Sequence, residues 1–90
     1  MNETRIQLIR SRLDEAFSPE YMDVEDESHL HEGHAGARDG RGHFRVTLVS
    51  PAFAGQSRIQ RHRMVFDALG SLMQSDIHAL AVKALAPDEV

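Results

Sequence analysis

Ninety residues with a formal net charge of −4 and 41% hydrophobic side chains describe one small soluble domain, residues 1–90, rather than a disordered chain. A chain this short buries about 60–65% of its unfolded surface, enough for one modest core but not for a deep enclosed active site, so a self-contained enzyme is not expected. The acidic balance argues against broad nucleic-acid affinity, and the absence of cysteine excludes disulfides and any thiolate that the chain itself gives to a metal.

No apolar run approaches the length of a membrane span, and Met1-Asn2-Glu3-Thr4-Arg5 lacks the apolar core of a signal peptide. A cytoplasmic protein with no membrane partner is therefore expected. Residues 3–17 read as an amphipathic helix, with Ile6, Ile9, Leu13, Ala16 and Phe17 at helical spacing and Arg5, Arg10, Arg12 and Asp14 elsewhere on the wheel. Ser18-Pro19 stops it, because proline pushes the preceding residue away from helical angles. Residues 20–27 form a short strand in which Met22 and Val24 alternate with Asp23 and Glu25, as suits an edge.

A loop of residues 28–42 follows, holding His29, His31 and His34 among several glycines. Residues 43–50 then read as a strand, with Phe44, Val46 and Leu48 on one face and Arg45 and Thr47 on the other. Pro51 ends it. Ser57 is a good N-cap for a helix over residues 58–74, whose apolar set is Ile59, Val65, Phe66, Leu69, Leu72 and Met73. Gly70 weakens this helix by roughly 1 kcal/mol relative to alanine and marks close packing or a break. Residues 77–85 form the last strand, with His78, Leu80 and Val82 sharing a face by the two-residue period. Residues 86–90 read as a frayed tail. A right-handed crossover makes the last strand parallel to residues 43–50, giving an α+β fold with a three-stranded mixed sheet and helices against one face.

Three groups can carry chemistry. Imidazole binds zinc, copper, nickel and iron, and glycine lets the backbone of the loop turn the rings of His29, His31 and His34 toward one point. The plain alternative is a solvated polar loop. His78 opens an apolar strand, either as a ligand or as a half-exposed ring at a strand end. Arg58, Arg61, His62 and Arg63 open the second helix, where positive charge opposes the macrodipole, so the placement suggests contact with an anion on a partner. Otherwise it is a solvated face with Arg63 paired to Asp67. The serines lie in no nucleophile-elbow motif, and the glycines do not match a phosphate-binding loop.

Asp26-Glu27-Ser28, the His/Gly loop, His43-Phe44-x-Val46-x-Leu48-Val49-Ser50, Phe53-x-Gly55, Arg61-His62-Arg63-x-Val65 and Ile77-His78-Ala79-Leu80 follow one another in an order that resembles the BolA family over nearly the whole chain. The resemblance implies a class II KH-like fold of helix, two strands, helix or helices, and strand. It further implies a monothiol glutaredoxin as partner, sharing a two-iron two-sulfur cluster held with glutathione. This chain then supplies a histidine equivalent to His78 and a loop histidine, His34 or its rival His31. Two thiolates and two imidazoles give Rieske-like mixed ligation, which raises the potential over all-thiolate ligation. No cofactor is expected in the isolated chain, which is expected to be a monomer or weak dimer. The sequence departs from the family in placing Gly42 where Thr or Ser usually precedes the His-Phe pair, and in carrying additional loop histidines. The resemblance also implies an alternative, a DNA-binding transcriptional regulator of stress response and cell shape, for which Arg58, Arg61 and Arg63 are the favourable feature.

Overall fold

The computed structural model describes residues 2–27 and 42–90. The elements in order are α1 (Asn2–Phe17), β1 (Tyr21–Asp26), β2 (Gly42–Val49), α2 (Arg58–Leu69), α3 (Leu72–Ser75) and β3 (Ile77–Leu85). One-turn 3-10 helices, Pro51–Phe53 and Pro87–Glu89, follow β2 and β3. The sheet order is β1-β2-β3, with β1 antiparallel and β3 parallel to the central β2. This is the expected α+β architecture.

The period-2 alternation of β2 decides which face is covered. Phe44, Val46 and Leu48 point into a core completed by Ile9 and Leu13 of α1, Val65 and Leu69 of α2, Leu72, Ile77 and Phe53. Burying each such side chain contributes about 2 kcal/mol. Met22, Val24, Leu80, Val82 and Ala84 pack against it from the flanking strands. The opposite face carries Arg45, Ala81 and Lys83, all exposed, and no helix lies in the layer they form among the described residues.

The ends of the elements are tied across the fold. Ser18 adopts a positive φ of 43° after α1 and donates its N–H to Asp14 O at 2.9 Å. Ser50, fully buried at the end of β2, donates its hydroxyl to Phe17 O at 2.8 Å and accepts from the N–H of Ala52 at 3.1 Å. One hydroxyl therefore satisfies an orphan carbonyl of α1 and caps the following 3-10 turn. The Phe17 and Phe53 rings meet beside it, with centroids 4.9 Å apart.

Two expectations are corrected. The helix expected over residues 58–74 is two helices. The Ser57 cap is present, with a reciprocal pair of bonds to Gln60 at 3.1 and 2.8 Å. At Gly70, however, φ is +53° and ψ −124°, a conformation that a side chain disfavours, and the chain turns there into α3. Arg12 Nη1 donates to Leu69 O at 3.1 Å and so covers the break. The last five residues are not frayed either. Pro87–Glu89 forms a turn closed by Glu89 N–H to Ala86 O at 2.9 Å, and Glu89 reaches back to α2.

Candidate functional site

The parallel pairing of β2 with β3 places both strand starts at one end of the sheet, and the antiparallel β1 finishes there. Glu27 N–H donates to His43 O at 2.7 Å, and Gly42 N–H donates to Asp76 O at 2.9 Å. The described chain therefore stops at Glu27 and resumes at Gly42, directly beside the start of β3. The loop histidines His29, His31 and His34 lie outside the described residues. The two points that tether them are at the same edge of the molecule as His78.

His78 occupies an irregularity in the sheet. Gly42 pairs with Ile77 and His43 with Ala79, so β3 carries one extra residue there and His78 is that residue. The two-residue period expected for His78, Leu80 and Val82 does not run through this point. Ile77 takes the core position, fully buried, and His78 is exposed. The bulge lets an apolar anchor and a solvent-facing imidazole sit next to each other on one strand.

The imidazole of His43 lies against that of His78, with ring centroids 5.2 Å apart and planes at 51°. His43 is 7% exposed, at the first turn inward of β2. It was absent from the candidate residues drawn from the sequence. The signal was available: two parallel neighbours each carry histidine as their second residue, so their rings fall at the same end of the sheet. Nearby carboxylates are engaged with arginine. Asp76 lies 3.5 Å from Arg5 Nε, and Glu27 lies 3.5 Å from Arg45 Nε. Among the described residues no group of three or more His, Asp or Glu side chains converges as a metal site would require. The described part thus offers imidazole at a sheet end, and the described residues by themselves do not make a closed four-coordinate site.

The basic segment of α2 divides. Arg58 and Arg63 are exposed. His62 is half-buried, its ring 6.4 Å from that of Phe66. Arg61 turns inward, with its side chain 12% exposed. Its Nε donates to Gln56 O at 2.9 Å and its Nη1 to Ala84 O at 2.9 Å. Both oxygens of Glu89 accept from the same guanidinium, at 2.6 and 3.0 Å. Hydrogen bonding to Glu89 holds the Arg61 pKa above its ordinary value. The bond from Arg61, then that from the Ala86 N–H, holds the Glu89 carboxyl below its ordinary value. Arg61 was grouped with partner-contacting arginines from sequence; in the fold it anchors α2 to the end of β3.

No helix among the described residues is long and apolar enough to cross a membrane. The chain is similar to the BolA domain of SufE1 from Arabidopsis thaliana, with a TM-score of 0.85 and 39% identity, covering 96% of this chain and 95% of that one. It is 43% identical over 79 residues to BolA-like protein 1 of Mus musculus, covering 88% of this chain and 56% of that relative, or about half its length. It is 32% identical over 83 residues to the DNA-binding transcriptional regulator BolA of Haemophilus influenzae, covering 92% of this chain and 78% of that one. The model of the BolA-like protein family matches residues 13–89. With nearly the whole fold, its helix-covered mixed sheet and its order of motifs accounted for by that match, this chain belongs to the BolA-like family.

Proposed function

We propose that the chain is a cytoplasmic, non-enzymatic partner of a monothiol glutaredoxin and co-ligates a bridging two-iron two-sulfur cluster, in cluster trafficking or in iron or redox sensing. His78 supplies one imidazole and a loop histidine, His34 or its rival His31, the other. The partner and its glutathione supply the thiolates, which this chain lacks. The observation that carries this reading is the exposed His78 on a bulge at the sheet end where both tethers of the histidine-rich loop are fixed. His43 packs against the His78 ring and limits its swing, which favours a ligand held in one orientation. Imidazoles with outside thiolates form a donor set suited to iron–sulfur ligation.

The test is to mix the protein with a cluster-loaded monothiol glutaredoxin and to record visible absorption and circular dichroism. The expected result is a spectral change with the wild type that is lost on His78→Ala and on one of His34→Ala or His31→Ala. Identical spectra for the wild type and the His34→Ala/His78→Ala double variant overturn the ligand assignment.

A second reading, a DNA-binding transcriptional regulator of stress response and cell shape, is favoured by the name of the Haemophilus influenzae relative and by the exposed Arg58 and Arg63 on α2. Phosphate contacts are salt-dependent. Gel-shift titration at two salt concentrations should then show binding that weakens with salt and on Arg58→Ala/Arg63→Ala. Binding indifferent to both removes this reading.

A further inference from the structure

At the far end of β3 from His78, a depression of about 580 Å³ lies between the start of α2 and the outer edge of β3. Arg58, Arg61, Lys83, Val82 and Glu89 line it. Two arginines of α2 thus meet at this hollow, with Lys83 at its rim from the other face of the sheet, in a chain whose net charge is −4. We propose that this hollow binds an extended, carboxylate-bearing segment of a partner protein, and that Glu89 occupies the carboxylate position in the free chain.

Three observations support the proposal. The first is the way Arg61 is held. Two backbone carbonyls, Gln56 O and Ala84 O, fix the guanidinium from the side of the fold, while Glu89 takes the outward fork in a two-oxygen grip. The carbonyls keep the fork oriented when Glu89 leaves, so an incoming carboxylate meets a preorganised, largely desolvated arginine. The second is that Glu89 is replaceable. Its side chain is 41% exposed and it rides on a single 3-10 turn, so releasing it gives up only the Arg61 fork and the Ala86 N–H that it also accepts from.

The third is the strand edge itself. Leu85 O accepts from Ser50 N–H on the inner side, whereas Ala84 O accepts from Arg61 on the outer side. By alternation the backbone groups of Val82 also face outward, as a template for an added strand. By the two-residue period, the segment's acidic side chains on the helix side meet the Arg61 fork and Arg58, and its apolar side chains lie on the open face beside the stem of Lys83. The β3 residues of the hollow, from Val82 onward, begin four residues beyond His78, about 13 Å along the strand. The proposal is therefore independent of cluster ligation.

The test uses calorimetric titration of the full chain with an acetylated, amidated Val-Glu-Val-Glu peptide, its Val-Gln-Val-Gln counterpart and inorganic phosphate. Glu89→Gln weakens the internal competitor. If Glu89 holds the fork in about nine of ten molecules, that variant binds the acidic peptide about tenfold tighter than the wild type. Arg58→Gln, at an exposed position, should weaken binding severalfold while leaving the amide NMR spectrum of the fold intact. Any one of four results overturns the proposal: Glu89→Gln binding no tighter than the wild type, the glutamine peptide matching the acidic one, phosphate matching the peptide, or no peptide binding at millimolar concentration.

Discussion

Ser50 shows how much one buried hydroxyl can do in a domain this small. It joins the end of β2 to the last carbonyl of α1 and to the turn that carries Phe53 into the core. Ser50→Ala leaves Phe17 O and Ala52 N–H without that partner at a part-buried site. The expected cost is about 1–3 kcal/mol, read as a lower urea midpoint at unchanged slope. A midpoint within experimental error of the wild type would show that water replaces the hydroxyl. His43 belongs to the same scale. In the sequence it stood only as part of the His-Phe motif that opens a strand; the register sets His78 beside it.

Among the elements, α2 and α3 are separated by one backbone conformation. The apolar spacing of Ile59 through Met73 is compatible with a single helix, and periodicity alone does not report where hydrogen bonding stops. Gly70 does stop it, at a positive φ, with its N–H still bonded to Phe66 O at 3.0 Å. A Cβ there would meet Arg12 Nη1 at 3.7 Å and Asp67 O at 3.8 Å, so space is available and the strain is dihedral. Gly70→Ala is expected to destabilise the fold by about 1–2 kcal/mol, seen as a lower thermal midpoint. A raised midpoint would mean that the two helices fuse without penalty. The bulge in β3 is the corresponding device in the sheet: it breaks the alternation once, so that Ile77 stays in the core while His78 faces out.

Across the whole molecule, the Arg61–Glu89 clasp links residues 28 positions apart and joins α2 to the end of β3. Its pH dependence follows from the direction of the Glu89 shift. The folded-state pKa lies below the unfolded value, so the contribution is fully present above the unfolded value and is lost as pH falls through the folded one. Arg61 stays charged throughout that range. In acid, the Ala86 amide, which donates to Glu89 Oε1 at 2.6 Å, should lose protection from hydrogen exchange before the core strands do. In Glu89→Gln the amide should be less protected at neutral pH and its protection should no longer follow the carboxyl titration. Equal pH profiles in the two proteins would contradict the assignment.

The sequence alone determined the strands, the Ser57 cap and the mixed sheet, because alternation, capping and crossover handedness are rules that the order of residues states directly, and its ordered motifs carried the family resemblance. It also singled out His78 as chemically unusual. Tertiary structure decided which side chains meet. It set His43 against His78, turned Arg61 from a surface cation into an anchor, and drew Glu89 back from the end of β3. Those contacts join residues 23 to 35 positions apart in the chain. Such pairings depend on strand register, a bulge and a helix break, each of which moves a side chain to another face without changing the composition around it.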